Sequence, residues 1–181
     1  MGKIELMKRF LIFIIVVMPF CMNAQDNSIG VTGGYTTNGI GVLASFNLAI
    51  KDNSYIQFGG YFSKAEDNAG DFVIPYNNAS FNVGYFHNII SSIEGKFNIA
   101  IGAGPIVGYE IVNDGQSEFS SGAVIDGENQ VIYGGYAGVD MRIYVSDKIS
   151  IAAIVNQYYH EGSDLGRAVF YSGLGFRYHI F

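Results

Sequence analysis

Four titratable side chains stand in two pairs in the last third of the chain, and their types suit charge-based chemistry. Asp140 and Arg142 are two residues apart in one segment, and Arg177 and His179 are two apart in the final segment. A spacing of two puts both members of a pair on one face of a β-strand. The pattern predicts a charge cluster with an Asp140–Arg177 or an Asp140–Arg142 ion pair. Its expected role is structural, because packed charges need partners; handling of protons or ligands is the alternative.

His160, Ser163 and Asp164 form a second group, with the residue types of a base, a nucleophile and an orienting acid. A lipid hydrolase or acyltransferase would need such a set, with the nucleophile beside its base. Nothing in this spacing identifies a catalytic arrangement, and the residues fall in a polar connection. The sequence also has no Cys/His metal spacing and no glycine-rich phosphate loop that opens a helix. We therefore predict a non-enzymatic protein without a metal or a cofactor.

The segments that carry these residues alternate between two kinds of side chain for most of the chain. In the last segment Phe176, Tyr178 and Ile180 share an apolar face. Arg177 and His179 share the opposite face. The same odd–even sorting gives eight segments. Seven have a face rich in Val, Ile, Leu, Phe and Tyr and a more polar face with many Gly residues, whereas the first, at residues 29–35, is weaker and Gly-rich. Alternation over stretches of about ten residues is typical of strands that cross an outer membrane.

Such strands must close on themselves, because backbone N–H and C=O groups cannot stay unpaired in hydrocarbon. Eight strands make the smallest barrel of this kind, with an interior filled by side chains. We predict an all-β fold, an eight-stranded antiparallel transmembrane β-barrel of the small outer-membrane type. A soluble β-sandwich or a lipocalin-like barrel is the alternative, but those proteins turn their apolar faces inward. Pro105 removes a ladder donor within one strand, which predicts a bulge or kink there.

The connections between the segments are alternately short and long. Tight turns are predicted at residues 51–54, 90–95 and 146–148, a very short first loop at 36–39, and longer loops at 64–75, 113–129 and 161–167. This asymmetry matches the periplasmic turns and external loops of outer-membrane barrels. The long loops hold many of the acidic residues, so we expect a solvated acidic surface, with cation bridging to lipid headgroups or acidic docking as alternatives. Function is expected in these loops and turns rather than in the lumen.

The N-terminal residues have the layout of a secretory signal peptide. Lys3, Lys8 and Arg9 precede an apolar run at 10–18, and Ala24 offers a small residue for cleavage. The run is shorter than the ~20 residues of a spanning helix, and the residues before Cys21 do not favour a lipoprotein. We predict a signal peptide at residues 1–24 and an outer-membrane β-barrel at residues 25–181. Cleavage would remove the one cysteine and change the net charge from −6 to −8, a balance that argues against direct nucleic-acid binding.

Several stretches of the second half share a more specific pattern. It runs through residues 74–75, 79–85 and 102–113, with Gly-Tyr-Glu-Ile-Val-Asn at 108–113 as its most distinctive piece. Residues 121–125, 133–135, 143–148 and 173–175 continue it, and Val-Thr-Gly-Gly at 31–34 fits near the start. This pattern resembles the TraO family, the conjugal transfer proteins of Bacteroides-type conjugative transposons. The resemblance implies an outer-membrane component of a DNA-transfer apparatus, and it implies no catalytic or ligand-binding residues.

The expected function follows from that resemblance, with which the barrel is compatible. We predict a non-enzymatic accessory of conjugative transfer that acts as an anchor, a surface contact or an assembly partner. Its expected partners are outer-membrane lipid and other conjugative-transfer proteins. An eight-stranded lumen is too narrow to pass DNA or a folded protein. The alternatives are a general small outer-membrane barrel for envelope integrity or adhesion and, less favoured, a lipid-modifying enzyme that uses His160.

Overall fold

The computed structural model describes residues 27–51, 53–69, 72–92, 96–115 and 129–180. Eight strands lie in these ranges: β1 Asn27–Thr36, β2 Gly39–Lys51, β3 Ser54–Ala69, β4 Phe72–Ser91, β5 Phe97–Val112, β6 Gln130–Ser146, β7 Ile149–Glu161 and β8 Ala168–Ile180. A short 3-10 helix, Asn113–Gly115, follows β5. In the part of the chain that the structure describes, no helix is long and apolar enough to cross a membrane. The signal peptide at residues 1–24 lies outside the described residues and stays a prediction.

The eight strands form one closed antiparallel barrel in which each strand pairs with its neighbours in chain order. The first and last strands complete the ring, from Asn27 opposite Ile180 to Thr36 opposite Tyr171. Closure leaves each strand paired on both sides through the body of the barrel, as a sheet in hydrocarbon requires. The predicted fold class is therefore confirmed.

Side chains divide between the two surfaces of the barrel as the odd–even sorting predicts. Leu174 and Phe176 on the outer surface are 67% and 68% exposed, whereas Arg177, which directly follows Phe176, is 1% exposed. Large apolar side chains on the other strands are exposed in the same way. A soluble barrel would bury these residues inside, since apolar surface in water costs about 25 cal/mol per Å². The lipocalin-like alternative is thus wrong, and the outer surface is one that lipid covers.

The two ends of the barrel differ in the way the strands are joined. The β2–β3, β4–β5 and β6–β7 connections lie at the end where β1 begins and β8 finishes, which is the periplasmic end in outer-membrane barrels. Each of these three hairpins has a register shift just before its turn, next to Ile50, Ile89 and Val145. These three side chains are exposed, so each bulge adds an apolar residue to the periplasmic rim.

Of the bulge or kink predicted at Pro105, the bulge is wrong. The β4–β5 register is the same on both sides of Pro105, and near this residue pairing is interrupted only at Val83 and Gly84. On its other side Pro105 stays paired with Gly135. The missing proline donor is therefore accommodated by a gap in one ladder rather than by an inserted residue.

The long loop predicted at residues 64–75 is also wrong, because most of it is strand. The β3–β4 ladder continues from Lys64 opposite Asn77 to Ala69 opposite Phe72. By contrast, β2–β3 pairing stops at Gly39 opposite Ala65. The polar residues that suggested a loop still alternate, with Ala65 buried between exposed neighbours. They mark the place where the strands leave the hydrocarbon, and the β3–β4 hairpin stands above the rim beside β1 and β2.

Candidate functional site

The predicted charge cluster lies inside the barrel near its periplasmic end. Arg177 Nη2 on β8 lies 2.8 Å from Asp140 Oδ2 on β6, and both side chains are completely buried. β7 runs between these strands and presents the small side chains of Ser150 and Ala152 to the lumen, which leaves room for the pair. Tyr55 on β3 donates its hydroxyl hydrogen to the same carboxylate from across the lumen. Of the two ion pairs left open by the sequence, the structure forms Asp140–Arg177.

The other two predicted members of the cluster make different contacts. Arg142 donates to Asn88 Oδ1, and its guanidinium carbon lies 5.0 Å from the centre of the Tyr55 ring, within range of a cation–π interaction. His179 Nε2 lies 2.9 Å from Ser150 Oγ. The four residues therefore share the inner face but belong to two groups, one around Tyr55 and one at the β7–β8 seam.

A column of aromatic rings fills the lumen above the ion pair, and sequence reasoning missed it. The rings of Tyr55 and Phe86 are 5.2 Å apart, those of Tyr136 and Tyr158 5.5 Å, and those of Tyr158 and Tyr61 5.0 Å. These centroid distances are those of rings in contact. Among the described residues, these packed rings occupy the middle of the barrel.

Inward-facing glycines make room for this column. A Cβ atom on Gly102 would lie 2.4 Å from the Phe86 ring, and one on Gly173 would lie 2.2 Å from Tyr171 Oη. Neither distance is compatible with a side chain at the glycine. The sequence does carry a signal for this column, since Gly and Tyr occur together on the same inner face. Each large ring needs a neighbouring residue that has no side chain.

At the external end, Glu110 on β5 holds the β7–β8 connection against the barrel. Its carboxylate accepts hydrogen bonds from Ser163 Oγ at 2.8 Å and from the Asp164 backbone N–H at 2.9 Å. Glu110 is completely buried, so these two bonds replace water around its charge. This contact of Glu110 was not predicted from the sequence.

The structure does not assemble His160, Ser163 and Asp164 into a catalytic set. Ser163 is bonded to Glu110 rather than to His160. The His160 ring is buried, stacks on Tyr158 at 5.9 Å, and neither ring nitrogen has a hydrogen-bond partner among the described residues. A base without its nucleophile does not form an activated pair. Within the described ranges, no group of three or more His, Cys, Asp or Glu residues is arranged to hold a metal.

The closed ring of eight antiparallel strands, the apolar outer surface and the filled lumen define a small outer-membrane β-barrel. Solved structures of this class share the fold at low identity. Ail, the attachment invasion locus protein of Yersinia pestis, is 14% identical over 86% of this chain and 97% of that chain, with a TM-score of 0.52. Neisserial surface protein A is 9% identical over 86% and 96%, also with a TM-score of 0.52. A de novo designed transmembrane β-barrel is 13% identical over 88% and 98%, with a TM-score of 0.50.

The family of this chain follows from comparisons of its sequence with other sequences and with models of protein families. A search of curated proteins finds no match. The model of the family described as conjugative transposon protein TraO matches residues 24–180. The chain therefore belongs to the TraO family, which confirms the resemblance stated from the sequence.

Proposed function

We propose that this protein is a non-enzymatic outer-membrane component of a conjugative DNA-transfer apparatus, where it acts as an anchor, a surface contact or an assembly partner. Membership of the TraO family is the observation that carries this proposal. The barrel supplies a fixed position in the outer membrane, and its ends supply surfaces for other transfer proteins.

The filled lumen supports an anchoring role over a conducting one. Asp140 and Arg177 occupy the periplasmic half, and the rings around Tyr158 occupy the middle. A passage for DNA or an unfolded protein would require these buried groups to leave the barrel and lose their partners, which is costly for an ion pair. The working surfaces are then the external and periplasmic ends.

The external end offers a raised surface that suits a protein partner. The β3–β4 hairpin extends past the β2–β3 ladder and carries Lys64 and Glu66 on its outer face. The connection between β5 and β6 begins beside it, since the 3-10 helix Asn113–Gly115 follows β5. Residues 116–128 of that connection lie outside the described residues. Binding residues often concentrate in the connections between the strands of a rigid scaffold.

Two shortened variants test the proposal. One deletes residues 117–127; its ends stay close because the Val112 backbone N–H donates to Asn129 Oδ1 at 2.9 Å. The other deletes 68–73 and joins Asp67 to Ile74, which are paired, through an Asn-Gly turn. Both should insert normally, because loop length changes cost little. At least one should lower transfer frequency or co-purification of transfer proteins by about tenfold, and the measurement is mating frequency at equal outer-membrane abundance.

The matched control carries Asp140→Asn and Arg177→Gln together, which alters the lumen and leaves the ends intact. Inserted barrels of this variant should support transfer. If they do not, while both shortened variants transfer normally, the working site is inside the barrel and the proposal fails. A gene deletion without effect on transfer would instead favour the general envelope or adhesion barrel.

A further inference from the structure

An apolar groove crosses the lipid-facing surface of β4, β5, β6 and β7. It has a volume of about 710 Å³, within the ~300–1,000 Å³ range of small-molecule sites. Its floor contains Ala103 and Ala137, paired side by side on β5 and β6. Its walls include Tyr85 and Ile101, which are 54% and 48% exposed on the outer surface. The groove thus opens toward lipid, not toward the lumen.

Its two ends lie at different levels of the barrel. His87 stands at the lower end, opposite Ser54, the first residue of β3 after the periplasmic turn. Gln157 stands at the upper end, four residues before the external end of β7 at Glu161. An elongated apolar chain that lies in the groove would therefore start near the periplasmic interface and run into the hydrocarbon.

His87, which lines the groove, is hydrogen-bonded on one of its two ring nitrogens. Tyr85 donates its hydroxyl hydrogen to Ser54 Oγ at 2.9 Å, and Ser54 Oγ lies 2.8 Å from His87 Nδ1. Ser54 can donate to Nδ1 while it accepts from Tyr85, because a hydroxyl group does both. In that arrangement the ring hydrogen of His87 is on Nε2, which is the tautomer that the proposed site uses beside the apolar groove.

We propose that this groove is a binding site for one glycerophospholipid of the periplasmic leaflet. One acyl chain lies over Ala103 and Ala137, and a phosphate or ester oxygen accepts the hydrogen bond from His87 Nε2. The occupant is a lipid because the groove lies within the lipid-facing band and pairs an apolar channel with an interfacial donor. This site is distinct from the ends of the barrel that carry the proposed transfer function.

Photo-crosslinking tests the proposal with the mature protein in liposomes. The probe is a phosphatidylethanolamine with a diazirine on one acyl chain. Cross-links should concentrate on β5 and β6 at the groove, above those on β1 and β2. Ala103→Phe, which fills the groove, should lower groove labelling by about tenfold. Ala44→Phe is the matched control, because Ala44 is a lipid-facing alanine on β2, outside the groove.

The headgroup contact has its own readout. Native mass spectrometry of the wild type should show a preference of roughly fivefold or more for phosphatidylethanolamine over a diacylglycerol with the same acyl chains, and His87→Leu should abolish it. Even labelling around the wild-type barrel would overturn the proposal, and this measurement needs no variant to fold. A dimer that Ala103→Phe converts to a monomer would also overturn it, because the occupant would then be a second copy of the chain.

Discussion

Arg177 and Asp140 face each other across the width of β7, 2.8 Å apart and without any exposure to solvent. Removal of either charge leaves the other buried without its ion-pair partner, which costs about 3–5 kcal/mol. We expect Asp140→Asn and Arg177→Gln each to lower the stability of the barrel, and the double variant to lose less than the sum of the two. The measurement is the urea midpoint for loss of the heat-modifiable band on gels. Glu161→Gln is the control, because its pair with Arg167 is long, at 3.8 Å, and exposed, which makes it worth at most about 1 kcal/mol.

The contacts of Glu110 predict that its substitution loosens the β7–β8 connection at the external end. Glu110→Gln removes the charge that accepts from Ser163 and from the Asp164 backbone. Hydrogen bonds to a charged group contribute about 1.5–3 kcal/mol, so the connection after β7 should open at least about tenfold more often. Trypsin cleavage after the exposed Arg167 should accelerate to match. Glu66→Gln, on the outer face of the β3–β4 hairpin, should leave the cleavage rate unchanged. Equal cleavage rates would show that the carboxylate does not hold this connection.

A charged side chain on the outer surface at the middle of a strand should strongly destabilise the inserted barrel. Leu174 lies at the middle of β8 and is 67% exposed. Leu174→Arg should cost about 2–4 kcal/mol, as expected for arginine near the bilayer midplane, and should reduce the inserted fraction. Leu174→Phe keeps the position apolar and should insert normally. Similar insertion of the two variants would contradict the assignment of this face to lipid.

The aromatic column predicts a barrel without measurable conductance. In planar bilayers the wild-type protein should add no steady ion current, because the rings around Tyr158 close the lumen. Tyr61→Ala combined with Tyr158→Ala should produce discrete openings. Tyr35→Ala removes an equally large ring from the outer surface, where Tyr35 is 77% exposed, and this variant should add no ion current. Steady currents from the wild type would contradict the filled lumen.

The two faces of the barrel could be predicted from the sequence. Alternate residues of a strand share one face, and the face that contacts hydrocarbon must be apolar. Phe176 and Arg177 are adjacent in sequence and opposite in exposure for this reason. The residue at which a strand ends is harder to predict from the sequence than the face on which each residue lies. The polar side chains of Lys64 and Glu66 predict a loop because they indicate contact with water. Contact with water does not mean that the hydrogen-bonded ladder ends, and β3 continues through both residues.

Contacts across the lumen could not be predicted, since they depend on how far neighbouring strands are staggered around the ring. Tyr55 meets Asp140 although 85 residues separate them in the chain. Gly138 is a second example. Its inner-face position suggests tolerance of a small side chain, yet a Cβ there would lie 1.9 Å from Asn156 Oδ1. The odd or even position of a residue in its strand assigns its side chain to a face. The stagger of the strands decides which other side chains it contacts across the lumen.

The seam between β1 and β8 has a consequence for the order of assembly. Asn27 pairs with Ile180, so β1 finds its second neighbour only on β8, the last described strand. Until β8 is in place, β1 keeps an open hydrogen-bonding edge, which is prone to pair with other chains. The pairing of β1 with β8 removes this edge, and it is therefore the step that protects the sheet from pairing with other copies.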